Sequence, residues 1–186
     1  MNCTREEALT KLREHVKNEK TIAHCLASEA VMRALAHRLN EDEDRWGLTG
    51  LLHDIDVEVT NADPKIHALR AADLLGDFGF DEEMLDAIRM HNDEATGIPR
   101  STTFQHALAA GETITGLIYA TSLVYPDKKI ENVKYKSIRK RMKEKAFAAS
   151  VNRDHIMECE QIGIPLDEFI QLSVDAMRLI SASIGL

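Results

Sequence analysis

Aromatic residues make up only 5% of this 186-residue chain, which also has one Trp, four Pro and three Cys. Each shortage excludes something. Cys3, Cys25 and Cys159 are odd in number and form no Cys-x-x-Cys, which argues for reduced thiols and an intracellular, cytoplasmic location. No apolar segment stands in Met1-Asn2-Cys3-Thr4-Arg5-Glu6-Glu7, so no signal peptide is expected there. The longest weakly apolar stretch, Ala107 to Val124, is broken by Glu112 and several threonines and would be an expensive membrane span. A soluble protein with no membrane partner is the expectation. Net positive charge is also lacking: the formal charge is -8, and an acidic body is a poor general nucleic-acid binder. The deficit is uneven, since Asp127 to Lys145 carries nine Lys or Arg against three acids, +6, leaving -14 for the remainder.

Strand-type alternation is nearly absent as well, whereas helix punctuation is frequent. Thr4-x-x-Glu7 is a capping box that opens a first helix to about Lys17. From about Thr21 to Leu39, His24, Ala27, Val31 and Leu35 share a helical face; Arg45 to His53 reads as a short third helix. Asp63-Pro64 predicts an N-cap and first turn, opening a helix with His67, Ala71, Leu74 and Phe78 on one side. Another begins at Asp81 and carries Met84, Ile88 and His91 on its stripe. Ser101 to about Leu123 lines up Phe104, Leu108, Glu112, Thr115 and Tyr119. Further helices are expected over Ser137 to Ala149, from Asn152 to Ile162, and from Pro165 to near Ser183. The fold class is therefore all-α. The length suits one domain burying roughly 70% of its unfolded surface, and every candidate site residue of the core should lie on a helix or at a helix end.

Imidazole and carboxylate groups recur on these apolar faces: His24, then His53-Asp54 after the run Leu48 to Leu52, then His67, His91 and Glu112. Burying such groups is costly unless something compensates them, and a divalent metal does so while fixing their protonation states. Taken singly, His24 or His67 is more simply a hydrogen-bonded core histidine. The joint set reads as a metal site. Nitrogen and hard oxygen donors favour Mn, Fe, Co, Ni or Zn over Ca or Mg. Asp54 has two oxygens, enough to bridge a pair of ions. His15, His37, His106 and His155 fall outside the set and read as ordinary surface or core residues.

The ordered set resembles the HD-domain superfamily of metal-dependent phosphohydrolases, whose ligands are a helical His, an adjacent His-Asp pair and a distant Asp. Glu112 stands in that last place and Asp56 in the Gly place of the His-Asp-Ile-Gly variant. His67 and His91 occupy the places of the two extra histidines of the two-metal members. The resemblance spans Thr21 to Ala120 and continues more weakly into the C-terminal part. It implies a compact helical HD bundle, with a metal-site core at about 20–124 and a helical extension at about 125–186. His24, His53, Asp54 and Glu112 would hold one metal, and His67 and His91, with bridging Asp54, a second. It also implies an enzyme that cleaves a phosphate ester or anhydride of a small, nucleotide-like substrate, with Asp54 indispensable to catalysis. Two other readings stay open: a di-iron oxygenase of the same superfamily, and a non-catalytic nucleotide-binding regulator.

The basic stretch admits two readings of its own. It is either a solvated helix face, or the place from which Lys136, Lys140, Lys145 or Arg153 meets a substrate phosphate at the site mouth.

Overall fold

The computed structural model describes residues 3–186; Met1 and Asn2, part of the N-terminal stretch read for a targeting segment, lie outside the described residues. The described residues are helical, with no strand. Helix α1 (Arg5–His15) opens on the expected capping box, and α2 (Glu19–Leu39) and α3 (Glu43–Leu52) are capped by Asn18 and Asp42. After a long run of turns come α4 (Ala71–Leu75), α5 (Glu82–His91), capped by Asp81, and the single turn α6 (Asp93–Thr96). Helix α7 (Thr103–Leu123) starts from a second capping box, Thr102 with Gln105. A 3₁₀ turn at Ile130–Asn132 precedes α8 (Tyr135–Arg141). Helix α9 (Arg153–Met157) runs into a 3₁₀ segment, and α10 (Leu166–Arg178) and α11 (Ser181–Ile184) end the chain. No helix among the described residues is long and apolar enough to cross a membrane.

Helix α2 is the central element, packed chiefly on α3, α7 and α10. Its buried stripe, Ile22, Cys25, Val31, Met32 and Leu35, joins Leu48, Leu51 and Leu52 of α3 and Leu108, Ile114 and Leu117 of α7 in the core. Trp46 stacks on Phe104 to tie α3 to α7. The α2/α3 contact is close enough that a Cβ on Gly50 would stand 2.8 Å from the Ser28 carbonyl oxygen and 2.9 Å from Met32 Cγ. Only a residue without a side chain fits this crossing.

Two expected helices are broken. The one predicted from Asp63-Pro64 is a series of turns as far as Leu69, and only Ala71–Leu75 is helical. Asn61, Ala62 and Ala68 have φ of 53°, 52° and 73°, the left-handed region, so helical spacing does not govern where His67 points. Likewise the helix predicted over Ser137 to Ala149 stops at Arg141. Its remaining carbonyls need other donors. The Arg153 guanidinium supplies them, donating from NH1 to the Ala148 and Val151 carbonyls at 2.6 and 2.7 Å and from NH2 to that of Phe147.

Candidate metal centre

His24 projects from the first turns of α2, while His53 caps the C-terminus of α3 and Asp54 follows it into a turn. The turn is what allows adjacent side chains to converge: His53 Nε2 lies 3.3 Å from Asp54 Oδ1. His91 comes from the last residue of α5, Glu112 from the middle of α7, and His67 from the left-handed turn before α4. All six candidate ligands meet at one place. Asp54 sits at its middle, with Oδ1 3.1 Å from His67 Nε2 and 3.6 Å from His91 Nε2, and Oδ2 3.7 Å from His24 Nε2. Glu112 Oε2 is 3.6 Å from His24 Nε2. The imidazoles form an edge-to-face chain, His24 to His53 to His91 to His67, with ring centroids 5.0, 5.0 and 5.1 Å apart.

The outer nitrogens decide the tautomers. His53 Nδ1 donates to the Gly50 carbonyl at 2.8 Å, and His91 Nδ1 to the Ile88 carbonyl at 2.6 Å. His67 Nδ1 donates to Asp56 Oδ1 at 2.7 Å. Thr115 gives its own hydroxyl proton to the Glu112 carbonyl, so it accepts from His24 Nδ1 at 2.9 Å. Every Nδ1–H is thus spent outside the cluster, and every Nε2 is turned inward. Partners of this kind orient metal-ligating histidines and raise their basicity.

Burial pushes the His53 imidazolium down to about 3, so that ring is neutral near pH 7. His24 Nε2 faces His53 Nε2 at 3.2 Å, which sets two lone pairs against each other. A cation relieves that repulsion. At a metal–nitrogen distance of about 2.1 Å, two nitrogens so spaced subtend about 100°, between octahedral and tetrahedral angles. Burial would raise the Asp54 carboxyl, but His53, His67 and His91 outweigh it and hold it well below the usual range. Burial also works against a charged His67, yet its bonds to Asp54 and Asp56 lift it to about 10. Burial raises Glu112, which His24 and His91 oppose. Two groups, His24 with His53 and Glu112, and His53 with Asp54 and His91, offer ligand atoms within 4.8 Å of one another. The donor set fits divalent metal, and His53 stands between the two groups.

The cluster opens into a cavity of about 420 Å³. A larger, mostly apolar groove of about 760 Å³ lies along α2 and α10 and contains none of the six residues. Its lining also includes Ser150, Val151, Asn152 and His155 from the C-terminal segment, and Asn92, Asp93 and Glu94. His155, read as ordinary from sequence, lines this cavity and holds Asp93 Oδ2 at 3.3 Å through Nε2. The Arg100 side chain is buried and outside the lining, 3.4 Å from Glu158 and 3.8 Å from Asp93. Sequence reasoning missed Asp56 as a partner, Arg100, and the C-terminal wall. The one local signal was a carboxylate, Asp56, where a glycine was expected.

The structure does not bring the basic candidates to the cavity. Lys136, Lys140 and Lys145 are exposed and outside its lining; Lys140 instead lies 3.6 Å from Glu144. Arg153 is committed to the carbonyls that the shortened helix leaves behind.

A family model described as HD domain matches residues 21–123. Neither the curated proteins nor the solved structures compared gave a match.

Proposed function

The chain belongs to the HD-domain family, which is largely one of metal-dependent hydrolases, and on that footing we propose a metal-dependent phosphohydrolase acting on a small phosphate ester or anhydride. One observation carries this reading: four histidines spend Nδ1–H outward and converge through Nε2 on the two oxygens of Asp54. In this reading His24, His53, Asp54 and Glu112 hold one ion, and His67 and His91, with Asp54, a second. The donor set suits Mn, Fe, Co, Ni or Zn. Such ions polarise a phosphoryl oxygen and lower the pKa of water.

The protein's own contribution is positioning. Asp54 faces His24 with one oxygen and His53, His67 and His91 with the other, so its charge serves both halves of the centre. Asp56 and Thr115 hold two of the rings in place. The Gly50 and Ile88 carbonyls hold the other two.

Elemental analysis of protein purified without chelator, followed by a panel of phosphate esters and anhydrides with the metal found, tests the proposal. One or two equivalents of metal with turnover is the expected result. Protein that neither retains nor takes up any of the five metals overturns it. Iron with oxygen-dependent turnover would favour the oxygenase reading, and nucleotide binding without turnover the regulator.

A further inference from the structure

A phosphate substrate brings several negative charges, and the cavity's answer to them is uneven. Among the described residues, no Lys or Arg lines it. The nearby cations are occupied: Arg100 is buried against Glu158 and Asp93, and Arg153 is bonded to main-chain carbonyls. Five of the six central residues line it, all but His53, and the rest of the lining includes Asn92, Asp93, Glu94, Ser150, Asn152 and His155. His155 Nε2 lies 3.3 Å from Asp93 Oδ2. Glu94 is exposed and has no ion-pair partner among the described residues.

With the metals of the proposed function in place, the positive charge that lines this cavity sits at its histidine-lined end. One phosphoryl group seated there would be compensated, whereas a second or third would extend toward Glu94 and Asp93 with no cation to meet it. Like charges brought together in a partly desolvated site discriminate strongly between ligands. The Asp93 and Glu94 carboxylates, and the oxygen of Asn92, whose amide nitrogen is spent on the Pro64 and His67 carbonyls, are instead acceptors for hydroxyl or amino donors. A volume of about 420 Å³ leaves room for an organic group of modest size beside one phosphoryl group.

We propose that this site selects phosphate monoesters of hydroxyl- or amine-bearing alcohols and rejects polyphosphates, with Glu94 and the segment 150–155 forming the specificity wall. This rests on the phosphohydrolase reading and narrows it from esters and anhydrides to monoesters.

The test compares metal-loaded wild-type protein with Glu94→Lys in two ways. In turnover, adenosine 5′-monophosphate and ribose 5-phosphate should exceed adenosine 5′-triphosphate and pyrophosphate in kcat/KM by on the order of 100-fold, and the substitution should narrow that gap about tenfold. In calorimetry, Glu94→Lys should raise pyrophosphate affinity about tenfold more than inorganic phosphate affinity. Any pull of the probes on the metal is common to both proteins. Equal or better turnover of the polyphosphates overturns the proposal. If neither protein turns over any compound, the phosphohydrolase reading fails and calorimetry decides. A gain for pyrophosphate no larger than that for phosphate overturns the wall, and a larger one supports it.

Discussion

Two polar groups enter the interior from α2 only five residues apart, His24 and Glu29, and they are treated in opposite ways. Glu29 is 2% exposed, and its carboxylate is closed by protein: Arg5 Nε and NH2 at 2.7 and 2.9 Å, and Arg33 Nε at 3.1 Å. Charge and hydrogen-bond capacity are both met, which is the condition for a buried ion pair to be tolerated. His24 has one nitrogen satisfied by Thr115 and the other set against His53. The first cluster is complete with the chain alone, whereas the second presents converging nitrogens and carboxylates that could hold a metal ion. That difference separates a structural buried charge from a candidate site more sharply than burial does.

The largest effect should come from breaking the second cluster at its centre. Asp54→Asn keeps the shape and removes the charge, and it should lower turnover at least about a thousandfold with metal content reduced; near-normal metal and rate would remove Asp54 from its role. Next, Glu29→Ala leaves Arg5 and Arg33 facing a buried gap. Because Arg5 is half exposed and Arg33 keeps Asp44, it should cost about 2–3 kcal/mol in urea unfolding, while metal content per folded molecule stays unchanged. A loss of metal equal to that of Asp54→Asn would mean that the two clusters are not separable. The smallest effect sharpens the comparison: Thr115→Val deprives His24 Nδ1 of its acceptor and should weaken metal binding about 10- to 100-fold in a competition titration. Unchanged affinity would show that His24 does not depend on Thr115 for its orientation.

Helix faces made much of this centre legible in the sequence. His24, His91 and Glu112 each lie on a stripe read from periodicity, and the family that the order of the six residues resembles is the one whose model matches residues 21–123. His67 joins the cluster, but from a turn with left-handed residues, where no periodicity operates. The His155–Asp93 pair spans 62 positions and belongs to two short helices, so nothing local announces it. The dense positive charge of Asp127 to Lys145 was conspicuous, yet composition carries no orientation. Lys136 and Lys140 share a face of α8, but that face is exposed and outside the cavity lining, and Lys145 lies beyond the helix end at Arg141.

The spacing of the centre is governed from a place that has no side chain. Gly50 lies three residues before His53 on α3, against the stretch of α2 that begins four residues after His24, and its carbonyl also fixes the His53 ring. The two helices act like the jaws of a caliper whose stop is this residue. Adding one methyl group there would drive the jaws apart, widening the 3.2 Å between imidazoles that share no contact with the added atom. Preference among ions of different radius can thus be tuned from outside the ligand set, by the thickness of a helix crossing.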